Sequence, residues 1–123
     1  MERLTVAILD DQLPIKLARE AGELEGVDVV WSGQSADAMI DVLPQLRPKV
    51  LVLQLEHLGH NPVTRAQLLA KLAQAEVTLV TYAFARRDVL DAMRHESLQP
   101  VRIPLSVQTL RTHLTGLVVR TLT

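Results

Sequence analysis

Asp10 and Asp11 stand side by side directly after the apolar run Leu4 to Leu9, and Gln54 ends a second apolar run that begins at Val50. Runs of this kind deliver their last residues to one edge of a parallel sheet. Carboxylates arriving there from two strands would make a site for Mg²⁺ and phosphoryl transfer. The first run supplies carboxylates. The second supplies an amide, which has the shape of an acidic residue but no charge and no nucleophilic oxygen at neutral pH. Three roles follow for such a constellation: an enzyme, a phosphorylation switch, or a scaffold without the chemistry.

The remaining polar clusters are thinner. Asp10 and Asp11 can hold a divalent ion weakly, with a backbone carbonyl near Glu56 assisting. The plainer reading is that they cap the helix that follows, where their charge meets its dipole. Glu56 is a conceivable substitute carboxylate, but it lies two residues past the strand tip and is expected to face solvent. His57 and His60 have a spacing that a metal can use, yet two histidines without a third ligand make a poor site. The Gly-rich phosphate loop, the GxSxG elbow and the HExxH helix are absent from the sequence. Arg86, Arg87, Arg94, Arg102 and Arg111 form the most suggestive basic group. It is either a docking face, since arginine is enriched in interface hot spots, or a solvated face paired with Asp88, Asp91 and Glu96.

The elements that must position these residues alternate along the chain. Strands are expected at Leu4–Leu9, Val27–Trp31, Val50–Gln54, Val77–Thr81 and Val101–Ile103, because near-continuous Val/Leu/Ile character marks strands buried on both faces. Between them lie helical patterns. Pro14 opens the first, with Leu13, Leu17, Ala21 and Leu24 at helical spacing. Ser35 with Asp37 opens the second, which turns Ala36, Ile40 and Leu43 inward, and Pro44 should kink or tighten its last turn. Thr64 opens the third, through Leu68, Leu69 and Leu72. The fourth spans about Arg86 to His95, and the fifth runs from about Ser106 to the end. Such alternation implies right-handed crossovers and a doubly wound α/β fold. The expectation is five parallel strands in the flavodoxin-like order 2-1-3-4-5 with five helices.

Composition narrows the function classes. A chain of 123 residues, 48 % hydrophobic, is one globular domain. No apolar run is long enough to span a membrane, and a signal peptide's basic start and small-residue cleavage site are missing. With no cysteine there is no disulfide or thiol chemistry, which fits a cytoplasmic location. A formal net charge of −1 gives no bulk attraction to nucleic acid or anionic lipid. Aromatics are nearly absent (Trp31, Tyr82 and Phe84), which disfavours base stacking.

Across nearly its whole length the chain resembles the receiver domains of bacterial two-component response regulators. The resemblance rests on Asp10-Asp11 after Val6-Ala7-Ile8-Leu9, on the lead Arg47-Pro48-Lys49 into the third strand, on Thr81 closing the fourth, and on Ile103-Pro104 after the fifth. It implies that Asp10 and Asp11 would bind Mg²⁺ and that Thr81 would read a phosphoryl group. It also exposes departures. Gln54 replaces the acceptor aspartate and Ile103 a lysine before the proline, while Pro100 falls where an aromatic switch residue usually stands. Tyr82 takes the place of a small residue that leaves the site open.

A neutral amide forms no acyl phosphate and offers Mg²⁺ no charge, and the missing lysine leaves a phosphoryl group unneutralised. The expectation is a degenerate pseudo-receiver, not an enzyme and without a cofactor. It would act as a phosphorylation-independent interaction or dimerisation module in signalling or transcription, with a vestigial pocket of Asp10, Asp11, Gln54, Thr81 and Ile103. Its partner, or a second copy, would dock on the face of the fourth helix, fifth strand and fifth helix; direct nucleic-acid or membrane binding is not expected. The fifth helix runs to Thr123 without a stop signal, so residues 1–123 are read as the N-terminal part of a longer protein. Two alternatives stand beside this reading. One is a small-ligand sensor using the vacated pocket bounded by Asp10, Asp11, Gln54, Thr81 and Tyr82. The other is an active receiver with a different acceptor such as Glu56.

Overall fold

A computed structural model describes residues 4–10 and 27–102. The first and fifth expected helices, together with Asp11, Ile103 and Arg111, lie outside the described residues. Short Val/Leu-rich segments form β1 (Leu4–Leu9), β2 (Val27–Gly33), β3 (Val50–Gln54), β4 (Val77–Tyr82) and β5 (Gln99–Arg102). All pair in parallel, in the order β2-β1-β3-β4-β5, as the alternation predicts. Between them stand α1 (Ala36–Leu46), α2 (Leu55–Leu58), α3 (Pro62–Ala73) and α4 (Arg87–His95), four helices among the described residues.

Strand alternation sorts the side chains into two buried layers. On one face Ala7, Leu9, Leu51, Leu53 and Val80 pack with Met39 and Leu43 of α1, Leu69 of α3 and Met93 of α4. On the other, Val6, Ile8, Val50, Val52 and Leu79 are equally buried. Burial on both faces explains why the strands read as unbroken apolar runs.

Ser35 caps α1 as expected, its hydroxyl accepting from the Ala38 N–H at 3.2 Å. The inward face is Ala36, Met39 and Leu43, with Ile40 only partly buried against the core. Pro44 sits in the last turn, and the helix closes at Arg47, a left-handed residue whose N–H donates to the Leu43 carbonyl.

Other boundaries differ from the sequence expectation. α3 begins at Pro62, ahead of Thr64, because Pro at the first helical position has a preset φ and no N–H to lose. Its buried face is Ala66, Leu69 and Ala73, while Leu68 points outward. Small alanines suit a helix that packs against a neighbouring helix, here α1. β2 runs on to Gly33 and takes up an irregularity where Val6–Ala7 faces Val29–Trp31. β5 starts at Gln99 and includes Pro100, two residues earlier than expected. It is an end strand of the sheet order, where a missing N–H is tolerated.

Candidate functional site

The tips of β1, β3 and β4 converge at the carboxyl edge of the sheet. The register Leu9↔Leu53 continues one step to bring Asp10 beside Gln54, and Gln54 pairs directly with Thr81. The Asp10 N–H donates to the Gly33 carbonyl at 2.9 Å, which carries the β1–β2 ladder to the acidic residue. The Trp31 ring crosses Gly33 closely, so that a Cβ there would lie 2.7 Å from the ring and push it aside. Asp10, Gln54 and Thr81 therefore stand in a row on one face, with neighbouring strands about 4.8 Å apart.

Each member of the row has a distinct state. Asp10 is buried, 8 % exposed. Thr81 is 1 % exposed, and its hydroxyl donates to the Leu53 carbonyl over a long 3.5 Å. Gln54 ends β3 and precedes the first turn of α2 without capping it, and its Oε1 is buried with no hydrogen-bond partner. Glu56, on that turn, is exposed as expected and also makes one bond. Its Oε1 accepts the Ala83 N–H at 3.2 Å, which ties the tip of β3 to the loop after β4. Among the described residues, no three His, Cys, Asp or Glu side chains are grouped to hold a metal.

Tyr82 does not belong to this row. It follows Thr81 along the strand and so faces the opposite side of the sheet. There it lines a groove of about 520 Å³ with Ala83, Phe84, Ala85, Arg86, Leu90 and Arg102. The boundary of the vacated pocket drawn from sequence thus loses Tyr82, for the simple reason that adjacent strand residues alternate.

The basic group divides too. Arg86 precedes α4 and pairs with Asp88 at 3.2 Å, and Arg94 pairs with Asp91 at 3.5 Å. Both pairs are exposed and contribute little. Arg87 and Arg102 are exposed and make no ion pair among the described residues. Arg102 stands opposite Tyr82 at the end of β5. Sequence reasoning found the arginines but missed the groove and its aromatic rim. The available signal was Tyr82-Ala83-Phe84, two of the three aromatic residues of the chain one residue apart.

No protein-family model matches the sequence, and no curated protein is significantly similar to it. Solved structures do match. A CheY-like response regulator receiver domain protein from Methanospirillum hungatei JF-1 superposes with a TM-score of 0.77 at 10 % identity, covering 98 % of this chain and 96 % of that one. The isolated REC domain of RcsB from Salmonella enterica serovar Typhimurium, solved with the phosphomimetic BeF₃⁻, gives 0.74 at 20 % identity, covering 94 % and 88 %. The signal receiver domain of a modulated diguanylate cyclase from Desulfovibrio desulfuricans G20 gives 0.74 at 17 % identity, covering 97 % and 96 %. With the strand order and the carboxyl-edge row in place, these likenesses establish that the chain has the fold of a response-regulator receiver domain.

Proposed function

We propose that this chain is a pseudo-receiver, a protein-interaction module of a signalling or transcription protein whose input is not aspartyl phosphorylation. One observation carries the reading: the central position of the row, between Asp10 and Thr81, holds the Gln54 amide. An amide supplies no nucleophile for an acyl phosphate and no charge for Mg²⁺. Thr81, the one hydroxyl in the row, already leans on a backbone carbonyl. Partner docking on the face of α4 and β5 would then take the place of phosphorylation, and the module would work in the cytoplasm without being an enzyme. The test is intact-mass analysis after incubation with Mg²⁺ and acetyl phosphate. An unchanged mass is expected, and a stable phosphoryl adduct on Glu56 or any other carboxylate would overturn the proposal.

A second reading, a small-ligand sensor, is favoured by the unpartnered Gln54 Oε1, which a donor on a polar molecule would satisfy. A thermal-shift screen against small polar metabolites tests it. A hit that disappears in Gln54→Met would establish it, and the absence of any such hit would remove it.

A further inference from the structure

We infer that the groove between the β4–α4 loop and β5 receives an acidic segment of a partner protein, with an apolar side chain of that segment anchored between Phe84 and Leu90. This deepens the interaction-module reading and rests on it. The chain has three aromatic residues in all, and two of them line this one groove. Phe84 is 86 % exposed, the most exposed of the large hydrophobic side chains described. A phenyl ring left in water gains by being covered, and aromatic side chains beside arginine are the usual anchors of protein interfaces.

Charge selects the kind of occupant. The charged residues lining the groove are Arg86 and Arg102, and Arg87 adjoins it at the start of α4. Arg87 and Arg102 are exposed without an ion-pair partner among the described residues, so carboxylates of a partner would meet two uncommitted guanidinium groups. A second copy seated groove to groove would oppose arginine with arginine, since a two-fold contact brings the same patch from both sides. Tyr82, Ala83, Phe84, Ala85 and Leu90 make most of the groove's lining apolar, which suits a peptide side chain better than a nucleic-acid backbone.

The Glu56 bond to the Ala83 N–H gives the loop its position. Glu56 holds the backbone one residue before Phe84 and is a positioning residue for the groove. Glu56→Gln keeps an acceptor at that point and should bind as the parent does, whereas Glu56→Ala frees the loop and should bind more weakly.

The experiment is selection of a random-peptide display library on the intact chain. Synthetic copies of the enriched peptides are then titrated by fluorescence anisotropy and mapped by amide chemical shifts. Expected are peptides with Asp or Glu flanking a Leu, Ile, Phe or Trp, shifting the amides of Ala83, Phe84, Leu90 and Arg102. Phe84→Ala should weaken binding about tenfold or more, because it removes the anchor contact. Arg102→Glu should do the same and flatten the salt dependence. Both side chains are exposed, so circular dichroism should show each variant folded.

Several outcomes would overturn the inference: no enriched peptide, enrichment without acidic bias, shifts confined to another face, or binding untouched by both substitutions. So would a single-stranded oligonucleotide that binds the groove more tightly than the peptides. Self-association abolished by Phe84→Ala would reassign the groove to a second copy. None of these outcomes bears on the acetyl-phosphate test, so failure here and failure of the phosphorylation-independent reading are separately visible.

Discussion

A buried carbonyl oxygen without a donor typically costs a folded protein about 1–3 kcal/mol. Gln54 carries one at the centre of the sheet edge, beside a buried carboxylate and a buried hydroxyl. The residue therefore contributes little stability of its own. Gln54→Met, which removes the oxygen and keeps the volume, should leave stability unchanged or raise it by about 1 kcal/mol in urea denaturation. Gln54→Asp should instead destabilise the chain by about 1–3 kcal/mol at neutral pH, because it sets a second carboxylate next to Asp10. It should still yield no phosphorylation-dependent change at the groove. A loss of more than about 1 kcal/mol in the Met variant would mean that the amide is used. Asp10, Gln54 and Thr81 were legible in the sequence because each closes an apolar run, and register then brings such residues together. Tyr82 was misassigned because neighbours in sequence are not neighbours on a strand face.

α3 and α4 end without the glycine that ordinarily marks a stop. In α3, Gln74 takes the left-handed conformation at φ 53°, with its N–H on the Lys71 carbonyl and the Ala75 N–H on the Ala70 carbonyl. After α4, Ser97 does the same at φ 64°, and Leu98 reaches back to the Met93 carbonyl at 2.8 Å. Both are closures that glycine normally serves, so no glycine cue marked them in the sequence. Gln74→Gly should raise stability by about 1 kcal/mol through relief of left-handed strain, and a fall in the melting temperature would contradict this. α2 escaped notice for another reason, since a single turn is too short to carry a periodic pattern. Its Leu58 is fully buried, so Leu58→Ala should cost about 2–5 kcal/mol. A cost below about 1 kcal/mol would show that the turn is dispensable.

At the scale of the whole molecule, the alternation of buried strands and helical segments was enough to reach the strand order, since right-handed crossovers leave few arrangements for five parallel strands. The groove was not within reach. It needs Tyr82 and Arg102 paired across β4 and β5, with Phe84 on the loop between β4 and α4, and no local pattern reports that three-way meeting. The same arrangement sets the functional logic. The row of Asp10, Gln54 and Thr81 and the groove beside α4 lie on opposite faces of one strand, and the Glu56 bond to Ala83 links the two ends. In a switchable domain such a link would carry a signal from the row to the groove. Here an amide occupies the middle of the row, so the groove is expected to stand in its binding form without an activating step. Amide NMR spectra of the intact chain, recorded before and after addition of Mg²⁺ and beryllofluoride, test this most directly. The account predicts unchanged resonances at Asp10, Gln54, Thr81 and Phe84. Large shifts at Asp10 and Thr81 that spread to Phe84 and Arg102 would contradict it.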